Sequence, residues 1–443
     1  MKKLKETLVN IWRIEDLRYR ILITLLFVFI YRLGDYIVLP GVDPVKLGAL
    51  KTQGESGIMA LLNMFSGGAF SQASIFALGV MPYISASIVI QLLTVAVPSF
   101  KKKQRDGESG RRQLTQYTRY LTVFILLLQA PSYLVNLYMQ APEAVPHDFW
   151  FKFSSTIILC GSSMFIMWLG ERITDKGIGN GISFIIMIGI VARLIPAMFQ
   201  EYALCLNGAG GLIKFIIEIL VLLVVIGLAA LLVQGVRRVP LEYAKQMTGK
   251  ARLNGARQYL PLKVYAANVM PIIFAQAIMF IPFAVVPLLG NDAATKFTEY
   301  FDYRGWGYNI VFALLIIAFT YFYTAITIQP TQMAEDMKRS GSFIPGVLPG
   351  TETAEYIDTI MSRITLPGAL FLAFLAILPS ILGSFLCANT QFAQFFGGTS
   401  LLIMVGVVLD TMAQIESHLV MHNYDGLMTG GRIQGRSLEE VAE

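Results

Sequence analysis

Ten apolar runs, each long enough to cross a bilayer as a helix, recur along this 443-residue chain. They lie at 21–39, 73–97, 118–138, 150–170, 181–199, 212–236, 264–289, 307–329, 366–386 and 397–415. A membrane-spanning helix needs about 20 predominantly apolar residues. A soluble protein carries about 25% charged residues. Here 14% are charged and 55% apolar, too little charge to cover a water-facing surface. The same balance excludes a disordered chain, and three cysteines exclude a disulfide scaffold. The expected class is therefore an all-α polytopic membrane protein. No cleavable leader is evident: Lys2, Lys3 and Lys5 precede a charged stretch reaching Arg20, and the first apolar run ends without a small-residue cleavage site.

The loops test the count of ten. Cytoplasmic loops of membrane proteins are enriched in Lys and Arg. With residues 1–20 inside, the outside loops hold only Lys46, Lys51, Lys296 and Arg304. The inside segments hold twenty-seven cations, concentrated in 1–20, 98–119 and 237–263, with fewer in 330–365 and in a tail from 416 to 443. One span more or fewer would destroy this alternation, so both termini are expected in the cytoplasm.

Ten spans divide into halves of five, 21–199 and 212–415. An odd number per half forces the second half to run inverted, as in many transport folds. The second segment of each half is the irregular one. The first half has Gly67, Gly68, Gly79 and Pro82 there; the second has Pro271, Pro282 and Pro287. Proline removes a helix hydrogen bond, and broken backbone at membrane depth persists only inside protein or beside water. Both segments are expected to line a central cavity in an hourglass-shaped pore. A further apolar stretch at 58–70 is too short to cross.

Chemistry-bearing residues are scarce. Ion-coupled transport needs polar partners in mid-membrane, but span centres here are aliphatic, aromatic or glycine. Arg32, Asp35, Glu171, Arg193 and Glu416 sit near span ends, Glu218 is an early outlier in its span, and Asp410 lies in the last third of the tenth. His147, His418 and His422 fall in loops or the tail, and no HExxH occurs. Gly107-Glu108-Ser109-Gly110 matches an intramembrane-protease signature formally but has no partner base, and Gly249-Lys250 lacks the rest of a phosphate loop. Cys160, Cys205 and Cys387 lack close Cys or His neighbours and read as small apolar thiols rather than metal ligands. Neither a cofactor, a metal nor an enzymatic activity is expected. The cations of the inside loops suggest docking of an acidic or nucleic-acid-bearing partner.

Asn63-Met64-Phe65-Ser66-Gly67-Gly68-Ala69 and the run from Ala73 to Ile88 resemble the bacterial SecY protein-conducting channels. So do Gly107 to Arg112, Met167 to Glu171, Gly177 to Ser183, Arg237-Arg238, Leu260 to Lys263 and Gly397 to Ile403, in order along the chain. The resemblance implies a channel that moves unfolded secretory proteins across, and membrane proteins sideways into, the bacterial plasma membrane. It implies a plug over 58–69, including Asn63, Met64, Phe65, Ser66, Gly67 and Gly68. It implies a constricting ring of Val80, Ile84, Ile182, Ile186, Ile273 and Ile403, and a lateral gate in which Gln91 and Asn268 are polar members. Residues 80/84 and 182/186 are i, i+4 pairs and would share a helix face. An aliphatic ring offers ions no substitute for their hydration shell.

The resemblance further implies SecE and SecG as small membrane partners, with the SecA ATPase or the ribosome docking on loops 237–263 and 330–365. Arg237, Arg238, Lys250, Arg252, Arg257, Lys338 and Arg339 are the expected contacts. One departure stands out. The family pattern Pro-Gly-x-Arg-Pro-Gly is here Pro345-Gly346-Val347-Leu348-Pro349-Gly350, with leucine at the arginine place. The alternative from the residues alone is an inverted-repeat secondary transporter of a small solute, which lacks its mid-span ionisable groups here.

Overall fold

The computed structural model describes residues 12, 14–44, 63, 66–140, 142–146, 148–206, 211–243, 258–265, 270–285, 305–385 and 389–430. Each of the ten expected spans meets a helix. These are α1 (Glu15–Asp35), α2 (Met81–Ala96), α4 (Glu108–Gln140), α5 (Phe149–Lys176), α6 (Gly181–Leu206), α7 (Gly211–Gln234), α8 (Met270–Val285), α9 (Trp306–Thr327), α11 (Thr351–Phe385) and α13 (Gly398–Gly430). Two short helices, α3 (Pro98–Arg105) and α10 (Pro330–Arg339), lie in the expected loops, and α12 (Thr390–Ala393) precedes α13. Seven helices are long and apolar enough to cross a membrane alone, and the bent pair α2/α3 makes an eighth candidate. In α1 acidic and basic residues crowd both ends, and α8 is described over only 16 residues.

Helix α7 shows how one sequence serves protein and lipid together. It is apolar all round, a pattern that marks burial or a membrane span. Glu218, Leu222, Val225, Ala229 and Leu232 are buried, a stripe at spacings of four and three. Ile213, Ile216, Leu220, Leu223 and Leu231 face outward and are exposed. Such a face is intelligible only against hydrocarbon, where helices also satisfy every backbone polar group internally.

Three expectations about local structure change. The segment from 66 to 80 is a chain of turns, and helix begins only at Met81. Pro82 therefore sits in the first turn, where its missing N–H costs nothing, and does not kink a longer helix. Pro271 likewise lies in the first turn of α8. Pro131, Pro196, Pro367 and Pro379 do fall inside helices, so proline alone does not distinguish the second segment of each half. Third, the 330–365 loop is mostly helical: α10 fills its start, and α11 begins at Thr351.

A small sheet joins the two large loops. Strand β1 (Val236–Tyr243) pairs antiparallel with β2 (Gln258–Lys263), and its far end pairs with β3 (Ser342–Phe343). Val239, Leu241 and Leu262 pack under it with Met337, Ile344, Ile357 and Met361. The helical class stands with this sheet added to it. Hydropathy reads spans, and a six- to eight-residue strand in a charged loop leaves no span-length signal.

The main core takes residues from α1, α2 and α5 to α9, and from α11 and α13. A second core gathers Leu39, Phe70, Ala73, Tyr133, Leu137, Val145 and Phe151 around the 66–80 turns.

Candidate pore, plug and seam

Val80 stands just before α2, and Ile84 follows one turn later, with Ile84 N–H donating to Val80 O at 3.1 Å. Ile182 and Ile186 open α6, Ile273 opens α8, and Ile403 lies in the second turn of α13. Val80, Ile84, Ile186 and Ile403 are buried members of the main core, and Ile182 and Ile273 pack against it. All six ring candidates thus fall in one apolar cluster fed by both halves. Ile182 also seats over Gly170 of α5: a Cβ at 170 would stand 2.7 Å from its Cγ1.

The turn that launches α6 accounts for the Gly177-Ile178-Gly179-Asn180-Gly181 run. Gly179 has φ of +81°, and a Cβ there would meet Thr411 Cγ2 of α13 at 2.6 Å. Its N–H donates to Gln414 Oε1 at 2.8 Å, and the Ile178 N–H donates to Thr24 Oγ1 of α1 at 3.2 Å. Gly181 N–H donates to Thr174 Oγ1 at 2.9 Å. The first helix of one half and the last helix of the other are therefore pinned to one turn. Nearby, Arg119 of α4 grips both Glu171 oxygens of α5 at 3.1 and 2.7 Å, a bidentate pair that fixes geometry as well as charge.

Of the plug candidates, Asn63, Ser66, Gly67 and Gly68 are described, while Met64 and Phe65 lie outside the described residues with most of 58–69. Asn63 and Ser66 are buried. Asn63 Oδ1 accepts from Ser71 N–H at 3.1 Å, its carbonyl accepts from Gly68 N–H at 2.8 Å, and Ser66 Oγ accepts from Phe70 N–H at 3.1 Å. Tyr133 Oη donates to Phe70 O at 2.9 Å. Gly67 is the tightest point, with φ of +66°; a Cβ would fall 2.9 Å from Arg32 Nη1 and 3.1 Å from Gly189 Cα. Arg32 is itself held by Asp35 at 2.6 Å. The sequence suggests that glycine loosens this element. In the structure Gly67 instead permits close approach between it, α1 and α6.

The seam between α2, α8 and α9 opens into a cleft of about 270 Å³ lined by Gln91, Leu92, Thr94, Phe274, Tyr323 and Thr327 among others. Tyr323 Oη reaches Gln91 Oε1 at 3.5 Å, a long contact across α2 and α9. Asn268 lies outside the described residues. Sequence reasoning found Gln91 but missed Tyr323 and Phe274, because an aromatic in an apolar span looks like any other.

At the sheet end, Arg237 and Arg238 are exposed on β1, opposite Leu262 and Pro261. Lys338 and Arg339 are exposed at the end of α10, just before β3. Pairing of β1 with β3 makes one surface of what the sequence presents as two loops. Lys250, Arg252 and Arg257 lie outside the described residues. Leu348 is 66% exposed between Gly346 and Gly350, both at positive φ.

One cluster runs against expectation. Glu201 near the end of α6 and Glu218 in α7 are completely buried, beside buried Cys205. The sequence reading noted Glu218 only as an outlier and passed over Glu201.

A family model for SecY matches residues 74–412. The chain is 42% identical over 433 residues to the protein translocase subunit SecY of Streptomyces scabiei, covering 94% of this chain and 98% of the relative. It is 41% identical to that of Pseudomonas aeruginosa, covering 95% of each. Among solved structures, a protein-conducting channel superposes with a TM-score of 0.59 at 17% identity, covering 94% of this chain and 95% of that one. Sec61 in a canine ribosome–channel complex superposes with a TM-score of 0.57 at 16% identity, with the same coverage.

Proposed function

The chain belongs to the SecY family of protein translocase subunits, and from that premise we propose that it conducts unfolded polypeptides across a bacterial plasma membrane and releases apolar segments sideways into lipid. The observation that carries this reading is the meeting of Val80, Ile84, Ile182, Ile186, Ile273 and Ile403, from four helices of both halves, in one apolar cluster. Such a ring hydrogen-bonds to no passing sequence, so it closes around many chains without holding any. When empty it excludes hydrated ions, because nothing in it replaces their water.

In this reading ten helices form two inverted halves with both termini in the cytoplasm, and the 63–73 turns belong to a plug seated beside the ring. The α2/α8/α9 cleft is the mouth of the lateral exit for signal sequences, with Gln91 and Tyr323 as a polar latch. The joined sheet surface carrying Arg237, Arg238, Lys338 and Arg339 receives the ribosome or the SecA ATPase. The motor supplies the energy, since the chain has no phosphate loop, and the protein acts as a conduit rather than an enzyme. SecE and SecG are the expected membrane partners. The secondary-transporter alternative gains no support: among the described residues the cluster contains no ionisable side chain.

The test is a photoreactive residue placed at position 84 in the full channel complex, with a stalled, signal-bearing nascent chain. Crosslinking of that chain to position 84, but not to lipid-facing position 220, is the expected result. Equal labelling at both positions would refute the pore.

A further inference from the structure

Glu201, Cys205 and Glu218 offer a thiol and two carboxylates whose ligand atoms all lie within 4.8 Å of one another. Glu201 and Cys205 are one turn apart near the end of α6, and Glu218 comes from the second turn of α7. All three are buried, at 0%, 1% and 0% exposure. Cys205 Sγ stands 3.9 Å from Glu201 Oε1. Glu201 Oε2 also accepts the Asn389 N–H at 2.7 Å, and Asn389 Nδ2 donates to Gln200 Oε1 at 3.0 Å. Helices α6 and α7 and the segment before α12 therefore converge here, at the junction of the two halves.

An independent observation points to a missing ligand. Among the described residues, neither oxygen of Glu218 has a hydrogen-bond partner, although both are sealed from solvent. The nearest cation, Lys214 Nζ, is 4.0 Å away, beyond hydrogen-bond reach. An uncompensated buried carboxylate is costly. Two of them around one distant ammonium leave an unmatched negative charge.

We propose that Glu201, Cys205 and Glu218 bind one borderline-soft divalent metal ion of the zinc class. A thiolate with carboxylates suits such an ion, and three protein ligands leave a fourth position for water. Charge then closes: two carboxylates and a thiolate balance one divalent cation and the Lys214 ammonium. On binding, the sulfur–metal bond forms as the Cys205 thiol proton leaves to solvent, and no electron is transferred. This overturns the reading of Cys205 as an inert thiol. Its carboxylate neighbours come from 4 and 13 residues along the chain, a spacing no zinc signature contains. The ion would fasten α6 to α7 on the boundary between the halves, independently of what the pore conducts.

The test uses the full chain, purified with its membrane partner subunits, carrying Cys160→Ser and Cys387→Ser so that Cys205 is the one thiol. Titrated with Co²⁺, it should take up one ion per chain, with a near-ultraviolet thiolate-to-cobalt charge-transfer band that Zn²⁺ and EDTA remove. Adding Cys205→Ser should abolish the band, and Glu218→Gln should weaken Co²⁺ binding at least tenfold, the lower end of what losing a shell partner costs. The protein retaining Cys205 decides the matter without any ligand variant. No band at stoichiometric Co²⁺, or a band that survives Cys205→Ser, overturns the site.

Discussion

Gly67→Ala should open the resting channel, and the structure sets the size of the effect. Gly67 sits at φ of +66°, where an L-residue pays roughly 1 kcal/mol or more. The new Cβ would also lie 3.1 Å from Gly189 Cα, which is backbone and cannot swing aside, and 2.9 Å from Arg32 Nη1. Arg32 could yield only by loosening its 2.6 Å pair with Asp35. Compression adds about another 1 kcal/mol, so the seated plug loses about 2 kcal/mol relative to the displaced one. At 1.4 kcal/mol per tenfold, the open fraction rises about 30-fold. Gly68→Ala is the internal control: φ is +99°, but nothing lies within 4 Å of its Cβ position. It carries the backbone cost alone, roughly 1 kcal/mol and about fivefold. Single-channel recordings in planar bilayers, on complexes matched for yield and gel-filtration profile, read both. An open fraction for Gly67→Ala within twofold of wild type would refute the close-approach reasoning. So would equal opening by the two variants.

Three further outcomes follow from the same geometry. Ile84→Asn combined with Ile403→Asn should raise resting ion conductance several-fold by giving hydrated ions polar partners at the constriction; unchanged conductance would remove these residues from the ring. Ile357→Ala, which truncates a fully buried side chain under the sheet, should cost about 2–4 kcal/mol locally and speed limited proteolysis of the 237–263 hairpin, while ion conductance stays at its wild-type level. Leu348→Arg should change the rate of SecA-stimulated translocation in reconstituted vesicles, and its effect should shrink as salt is raised; identical rates at all ionic strengths would make the position idle.

The spans were legible because lipid imposes a rule that acts on composition. Each crossing must be about 20 residues long and apolar, and all ten expected runs coincide with helices. The motifs at 177–183 and 63–69 were legible as patterns, but not why they exist. Gly179 answers to Thr411, 232 residues away, and Gly67 to Gly189; neither neighbour leaves a local trace. Pro82 misled for a related reason: a proline that starts a helix and one that bends it look alike until the helix boundary is known.

Helix number, alternation and class were thus written into the chain's hydropathy and charge, since solvent acts on each segment separately. The joining of two cytoplasmic loops through β1 and β3, the latch from Tyr323 to Gln91, and the sealing of Glu201, Cys205 and Glu218 into one cluster were decided only by tertiary structure. Each depends on distance between segments remote in sequence or on opposite sides of a turn. Burial there is a property of the neighbours, not of the residue.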